Sequence, residues 1–222
     1  KMIAGEYTAK QAYRAFNAQL LAEEEPAADE IVLTSGKGYS NVFHANGGNA
    51  AFSVMANTLR GVYGTDVLLA TANSFTGSVL KADYTPKMVD SMIMPNGLIS
   101  RQRTMTGAEL KETVRAYVEG CEGGFVPFNR GSLPIVSGIA VEVKENNRSY
   151  TLTSITRNGQ PLRDDDTITV TCLATSKQME ALLASKSGTS EDGDAWVKNT
   201  WRDHVSGGGA ALAEPENYMT LR

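Results

Sequence analysis

Hydrophobic residues recur at helical spacing in some stretches of the chain and alternate with polar ones in others, so helices and strands follow one another unevenly. In residues 8–25, Ala9, Tyr13, Phe16, Leu20 and Leu21 mark a helix that Thr8 caps and Pro26 ends. Residues 30–34 predict a short strand, and residues 35–49, rich in Gly, Ser and Asn, an irregular connection. Phe52, Met55, Leu59 and Val62 share one face of a helix over 50–63, which Gly64 closes. Residues 66–72 form an apolar run suited to a buried strand. Thr85-Pro86 opens another helix, because Pro at the first helical position forfeits no hydrogen bond. Residues 98–104 alternate loosely as a strand. Thr106 and Glu109 then have capping-box spacing ahead of a stripe of Leu110, Val114, Tyr117 and Val118. Gly120 and the Gly123-Gly124 pair stop that helix.

The following third is strand-like. Residues 135–143 and 150–156 flank a turn at 145–148, Asn158-Gly159 makes a second turn, and 167–173 alternate again. Helical spacing returns over 176–186 through Met179, Leu182 and Leu183. A polar gap at 187–192 separates it from a second helical pattern carrying Trp196, Trp201 and Val205. Trp196 and Trp201 are five apart and project from different parts of that helix, one toward the core and the other over a surface groove. The expectation is an α+β domain over 30–206, a mixed β-sheet packed with helices. A linker helix precedes it over 1–29, and a flexible tail from Gly207-Gly208-Gly209 fills 207–222.

Composition narrows the roles such a domain can fill. Of 222 residues, 41% are hydrophobic and 21% charged, far from a disordered composition. The net charge of −4 offers no basic stripe for phosphates in number, which argues against a nucleic-acid partner. No apolar stretch approaches the roughly 18 residues of a membrane span. Cys121 and Cys172 suit either a disulfide or two thiols, and the alternation around Cys172 favours a small core residue. The chain opens at Lys1, as an excised piece of something longer would.

Most catalytic constellations fail by count. There are two histidines, His44 and His204, without a second ligand at metal spacing, and no nucleophile elbow or P-loop. Asp164-Asp165-Asp166 reads as a solvated acidic turn, since successive residues of an extended segment point in alternate directions.

One string stands out. Asn73-Ser74-Phe75-Thr76-Gly77, running on through Asp83-Tyr84-Thr85-Pro86, resembles a segment of the C-terminal domain of the secreted 5′-nucleotidase family. The family's order continues in Pro95, Thr106-Gly107-Ala108-Glu109-Leu110, Val136-Ser137-Gly138-Ile139 and Asn158-Gly159-Gln160-Pro161-Leu162. It ends in Asp192-Gly193-Asp194-Ala195-Trp196, similar to a Gly-Gly-Asp-Gly-aromatic motif. The resemblance covers about residues 45–197.

This resemblance implies a 5′-nucleotidase C-terminal-like domain that grips a nucleotide or related small phosphoester. Catalysis and the divalent metals would reside in an N-terminal metallophosphoesterase domain of the parent chain. It implies no catalytic residue, metal ligand or cofactor here, an extracellular or cell-envelope setting, and an isolated chain that hydrolyses nothing. Asn73 and Asp194 match the family's phosphate- and ribose-binding positions. Thr76 stands where the family has a loop Arg, Ser53 where it has an acidic residue, and Ser100 and Gly188 where it has stacking aromatics. Arg101 and Arg103 are either replacement charge or exposed strand residues. Residue by residue, Asn73 also suits closing a turn through its side chain, and Asp194 a helix start. The rival expectation is a degenerate domain serving protein interaction or adhesion.

Overall fold

The computed structural model describes residues 30–94, 97–121, 126–127, 129–147, 149–183, 190–206 and 211–222. The expected linker helix over 1–29, Gly123-Gly124, Gly188 and Gly207-Gly208-Gly209 lie outside the described residues.

A short strand β1 (Leu33–Thr34) precedes a ribbon of β2 (Phe43–His44) and β3 (Gly48–Asn49), then helix α1 (Ala50–Tyr63) and β4 (Val67–Ala70). Next come β5 (Asp83–Tyr84), α2 (Pro86–Asp90), β6 (Leu98–Thr106) and α3 (Gly107–Glu119). The second half holds β7 (Ile135–Ser137), β8 (Ala140–Asn146), β9 (Ser149–Arg157), β10 (Gln160–Pro161) and β11 (Thr167–Thr175). It finishes with α4 (Ser176–Leu183), β12 (Ser190–Trp196), α5 (Val197–Ser206) and β13 (Met219–Leu221). A five-stranded sheet has the order β12-β6-β11-β4-β7, and a four-stranded sheet the order β10-β9-β8-β13. Within the first, β4 and β11 run parallel and the other pairs antiparallel. The α+β class and the mixed sheet expected from the pattern are both present.

Local signals produce local structure where neighbours supply the partners. Asn49 caps α1 by accepting the Phe52 N–H at 3.0 Å, and Ala51, Val54, Met55 and Leu59 of that helix are fully buried. The α3 capping box is complete: Thr106 Oγ1 accepts the Glu109 N–H, and Glu109 Oε2 accepts the Thr106 N–H at 2.8 Å. Helix α3 packs against β6 and β11 of one sheet and β9 of the other, filling the space between them.

Three expectations are corrected. Residues 135–143 are not one strand: Gly138, at φ 84, turns a corner that an L side chain rarely adopts, so β7 stays in the first sheet and β8 enters the second. Residues 190–192 are not a gap but the start of β12, an edge strand paired to β6. Trp196 therefore ends a strand rather than joining Trp201 on a helix. Trp201 is fully buried and Trp196 is 53% exposed.

The third correction concerns the tail. Residues 211–222 form a strap across α1: Ala213 N–H donates to Thr58 Oγ1, Asn57 Nδ2 to the Glu214 carbonyl, and Glu216 N–H to Ser53 Oγ at 2.8 Å. Strand β13 then runs parallel to β8, with Leu221 N–H on the Ala45 carbonyl. Tyr218 and Met219 are buried at 1% and 2% exposure. The Tyr218 ring sits over Gly48, where a Cβ would come within 2.3 Å of it. So short an apolar run shows no period, and its partners lie on segments far back along the chain.

Candidate functional site

The register places one row of residues across the whole first sheet: Ile135, Ala70, Leu173, Ser100 and Ala195. The chain leaves β4 at this row. The turn that follows, Ala72–Ser74, is closed by its own hydroxyls and backbone. Thr71 Oγ1 and Ser74 Oγ lie 3.1 Å apart, and Ser74 N–H donates to the Thr71 carbonyl at 2.9 Å. Ser74 and Phe75 anchor it inward, with the Phe75 ring 5.9 Å from that of Phe52. The Met94 N–H on the Ser74 carbonyl and the Thr76 N–H on the Met92 carbonyl hold it from the far side.

Asn73 is the exposed residue of this turn, and its amide bonds to no described residue. It does not close the turn. A polar side chain is thus held at the sheet end by buried neighbours and left open to solvent. Asp194 lies on β12 beside Ala195, in the irregular stretch of the ladder between the Glu191–Gln102 and Ala195–Ser100 pairs. Both residues therefore belong to the same end of the sheet. The Ala70 and Ala195 backbones stand three strand spacings apart, about 14 Å at ~4.8 Å per step.

The remaining family positions differ in kind. Thr76 is exposed, on the same loop as Asn73. Ser100 is 3% exposed. It lies beside Tyr63, whose hydroxyl burial raises above its ordinary pKa while the Ser100 and Thr200 hydroxyls partly offset the rise. Ser53 is fully buried and exchanges two hydrogen bonds with the Glu216 backbone. Arg101 and Arg103 are half-buried rather than exposed, paired in register with Cys172 and Val170. Since adjacent strand residues face opposite ways, they occupy the face away from Ser100. That face carries Cys172, whose thiol burial pushes up to about 12, with Tyr117 and the two arginines pulling it down.

Among the described residues no group of three or more His, Cys, Asp or Glu could hold a metal ion. The acidic turn is pinned by cations instead: Arg163 holds Asp166 at 2.8 Å, and Lys111 holds Asp164 at 2.6 Å. Cys121 and Cys172 form no disulfide. No described helix is long and apolar enough to cross a membrane.

A second constellation escapes sequence reasoning. Arg60, Asp66, Arg157 and Glu216 meet around one cleft at the other end of β4. They come from three separated stretches of the chain with no shared spacing, and the Asn158-Gly159 turn in its wall was the one legible signal.

No family model matches the sequence, and no curated protein matches it. Solved structures do. A 5′-nucleotidase precursor from Thermus thermophilus superposes over 97% of this chain at a TM-score of 0.67 and 14% identity. An NAD nucleotidase from Haemophilus influenzae does so over 94%, at 0.64 and 17%. The sulfate thiohydrolase SoxB of Thermus thermophilus, in complex with glycerol, does so over 95%, at 0.65 and 11%. The match covers 43%, 41% and 38% of those chains respectively, so this chain spans about two fifths of their length. The chain has the fold found in 5′-nucleotidase structures, at the extent that fits a C-terminal domain.

Proposed function

We propose that this chain is the ligand-binding C-terminal domain of a larger, cell-envelope or extracellular 5′-nucleotidase-like metallophosphoesterase. In this reading it presents a nucleotide or related small phosphoester to a metal-bearing domain of the parent chain. The carrying observation is Asn73: an exposed amide, unengaged among the described residues, at the sheet end that also holds the backbone of Asp194. In the same reading, the hydrolytic step belongs to the parent chain's metal-bearing domain. The fold also occurs in a protein named a sulfate thiohydrolase, which supports leaving the ligand class broader than nucleotides.

Binding is weak in this reading. Thr76 forgoes the charge-assisted contact an Arg would make, about 1.5–3 kcal/mol. Each missing stacking face removes a further ~1–3 kcal/mol, which moves a micromolar site toward millimolar. Backbone-amide NMR of the chain with AMP and with inorganic phosphate tests it. Saturable shifts at residues 71–77 that Asn73→Ala abolishes are expected, along with no turnover of AMP in added Mn²⁺. Shifts absent from that loop at 10 mM ligand (about 2.7 kcal/mol of binding at the 1 M standard state) refute ligand binding. Such an outcome favours the interaction-domain reading, to which the buried Ser100 already lends support.

A further inference from the structure

At the end of β4 opposite Asn73, a cleft of about 410 Å³ opens between the α1–β4 connection, the β7–β8 corner and the β9–β10 turn. Glu216 and Asn217 of the C-terminal strap complete its lining. Two ion pairs border it, and they differ in what they leave unused.

The pair of Arg60 and Glu216 is closed. Arg60 donates to Ser137 Oγ at 2.8 Å, Asn57 Oδ1 at 2.7 Å and Glu216 Oε1 at 3.1 Å, while Glu216 Oε2 accepts the Gly138 N–H at 2.9 Å. The pair of Arg157 and Asp66 is closed on the acid side alone. Asp66 Oδ1 accepts from Arg157 Nη2, and Oδ2 accepts from the Thr169 N–H and hydroxyl, both at 2.9 Å. The Arg157 side chain, 30% exposed, makes no other hydrogen bond among the described residues. Of the five N–H groups of an arginine guanidinium, four form two two-donor edges, Nε with Nη2 and Nη1 with Nη2. One contact at Nη2 occupies a single N–H, so a complete two-donor edge remains. Asn158, at φ 53, and Asn217 line the same cleft with side-chain amides that bond to no described residue. Arg157 and Asn158 also border an adjoining cleft with Gln160 and Arg163.

We propose that this cleft binds a small carboxylate, gripped by the open edge of Arg157 with the Asn158 and Asn217 amides donating to the same anion. The planar fork matches carboxylate geometry, and the bond to Asp66 holds the guanidinium in place, so little rotamer freedom is lost on binding. The volume lies within the range of small-molecule sites.

Amide NMR of the 222-residue chain, titrated with sodium acetate and sodium citrate against sodium chloride at matched ionic strength, decides it. Saturable shifts are expected at residues 157–159, at Gly138 and at Asn217, with the 71–77 loop unmoved. Arg157→Lys keeps a cation for Asp66 but removes the fork, and should weaken binding about tenfold or more. Asn158→Gly leaves the ion pair untouched, suits the left-handed turn, and should weaken binding several-fold. Shifts no larger than those from chloride overturn the proposal. Unchanged affinity in Arg157→Lys also overturns it, and if that variant fails to fold, unchanged affinity in Asn158→Gly does so.

Discussion

The strap over α1 makes a prediction whose size can be worked from single contacts. Tyr218 is 1% exposed, and its hydroxyl accepts the Asn49 N–H at 3.0 Å immediately before α1. Tyr218→Phe keeps the ring and strands that buried donor, which costs about 1–3 kcal/mol. Tyr218→Ala also opens a cavity, and truncating a buried aromatic costs about 3–5 kcal/mol. Urea denaturation at neutral pH measures both, with the slope m unchanged if the native state stays compact. The reciprocal change tests the geometry. Gly48→Ala places a methyl 2.3 Å from the ring and suffers backbone strain at φ 80 as well. In Gly48→Ala/Tyr218→Ala the clash disappears and the strain remains, so the double variant should be more stable than the summed single losses imply. Strict additivity, or a Tyr218→Ala loss below about 1 kcal/mol (smaller than truncating any well-packed aromatic), refutes the view that Tyr218 anchors the strap in the core.

Two further outcomes follow from burial and charge. Ser100→Phe should destabilise the domain by about 1–3 kcal/mol through overpacking rather than create a stacking platform, read as a lower urea midpoint with no gain in AMP binding. Burial pushes the Asp66 carboxyl up, but the Thr169 N–H and hydroxyl with the Arg157 guanidinium outweigh it and hold its pKa below the ordinary 3.8. Folded Asp66 then binds fewer protons than unfolded. Its contribution is complete above 3.8 and is lost as pH falls through the lower folded value. Asp66→Asn should flatten that part of the acid limb in stability measured against pH, and an unchanged limb contradicts the assignment.

What could be read in advance was whatever adjacent residues decide among themselves. The Thr106–Glu109 box, the Asn158-Gly159 turn and the closure of α1 at Gly64 need partners no more than four residues away, and all are present. The break at Gly138 was hidden because Ile135, Ile139, Val141 and Val143 share one odd-numbered apolar alternation through it, although the two strands belong to different sheets. Strand β12 was hidden because an edge strand rests on backbone bonds to β6 and needs no apolar face. The strap was hidden for a third reason: Glu216 is tied to Ser53, Arg60 and Gly138, and no short window of sequence contains it together with any of them.

The candidate site shows why a motif's missing residues are unequal in meaning. Ser53 and Ser100 are not vacancies in a ligand pocket. One latches the strap, and the other is sealed beside Tyr63, so each serine now answers to packing. A carboxylate at 53 would have to displace the Glu216 backbone, and a ring at 100 would have to enter a site that is only 3% exposed. Thr76 is different: it is exposed, and only its backbone N–H is committed, to the Met92 carbonyl. An Arg there disturbs no packing and shares the loop of Asn73. On the proposed reading, Thr76 is therefore the departure that a single substitution at an exposed position can reverse, while Ser100 is committed to the core. On that reading, an Arg at position 76 beside Asn73 would favour a ligand through its anionic group, and Ser100 would offer no face to whatever that group carries.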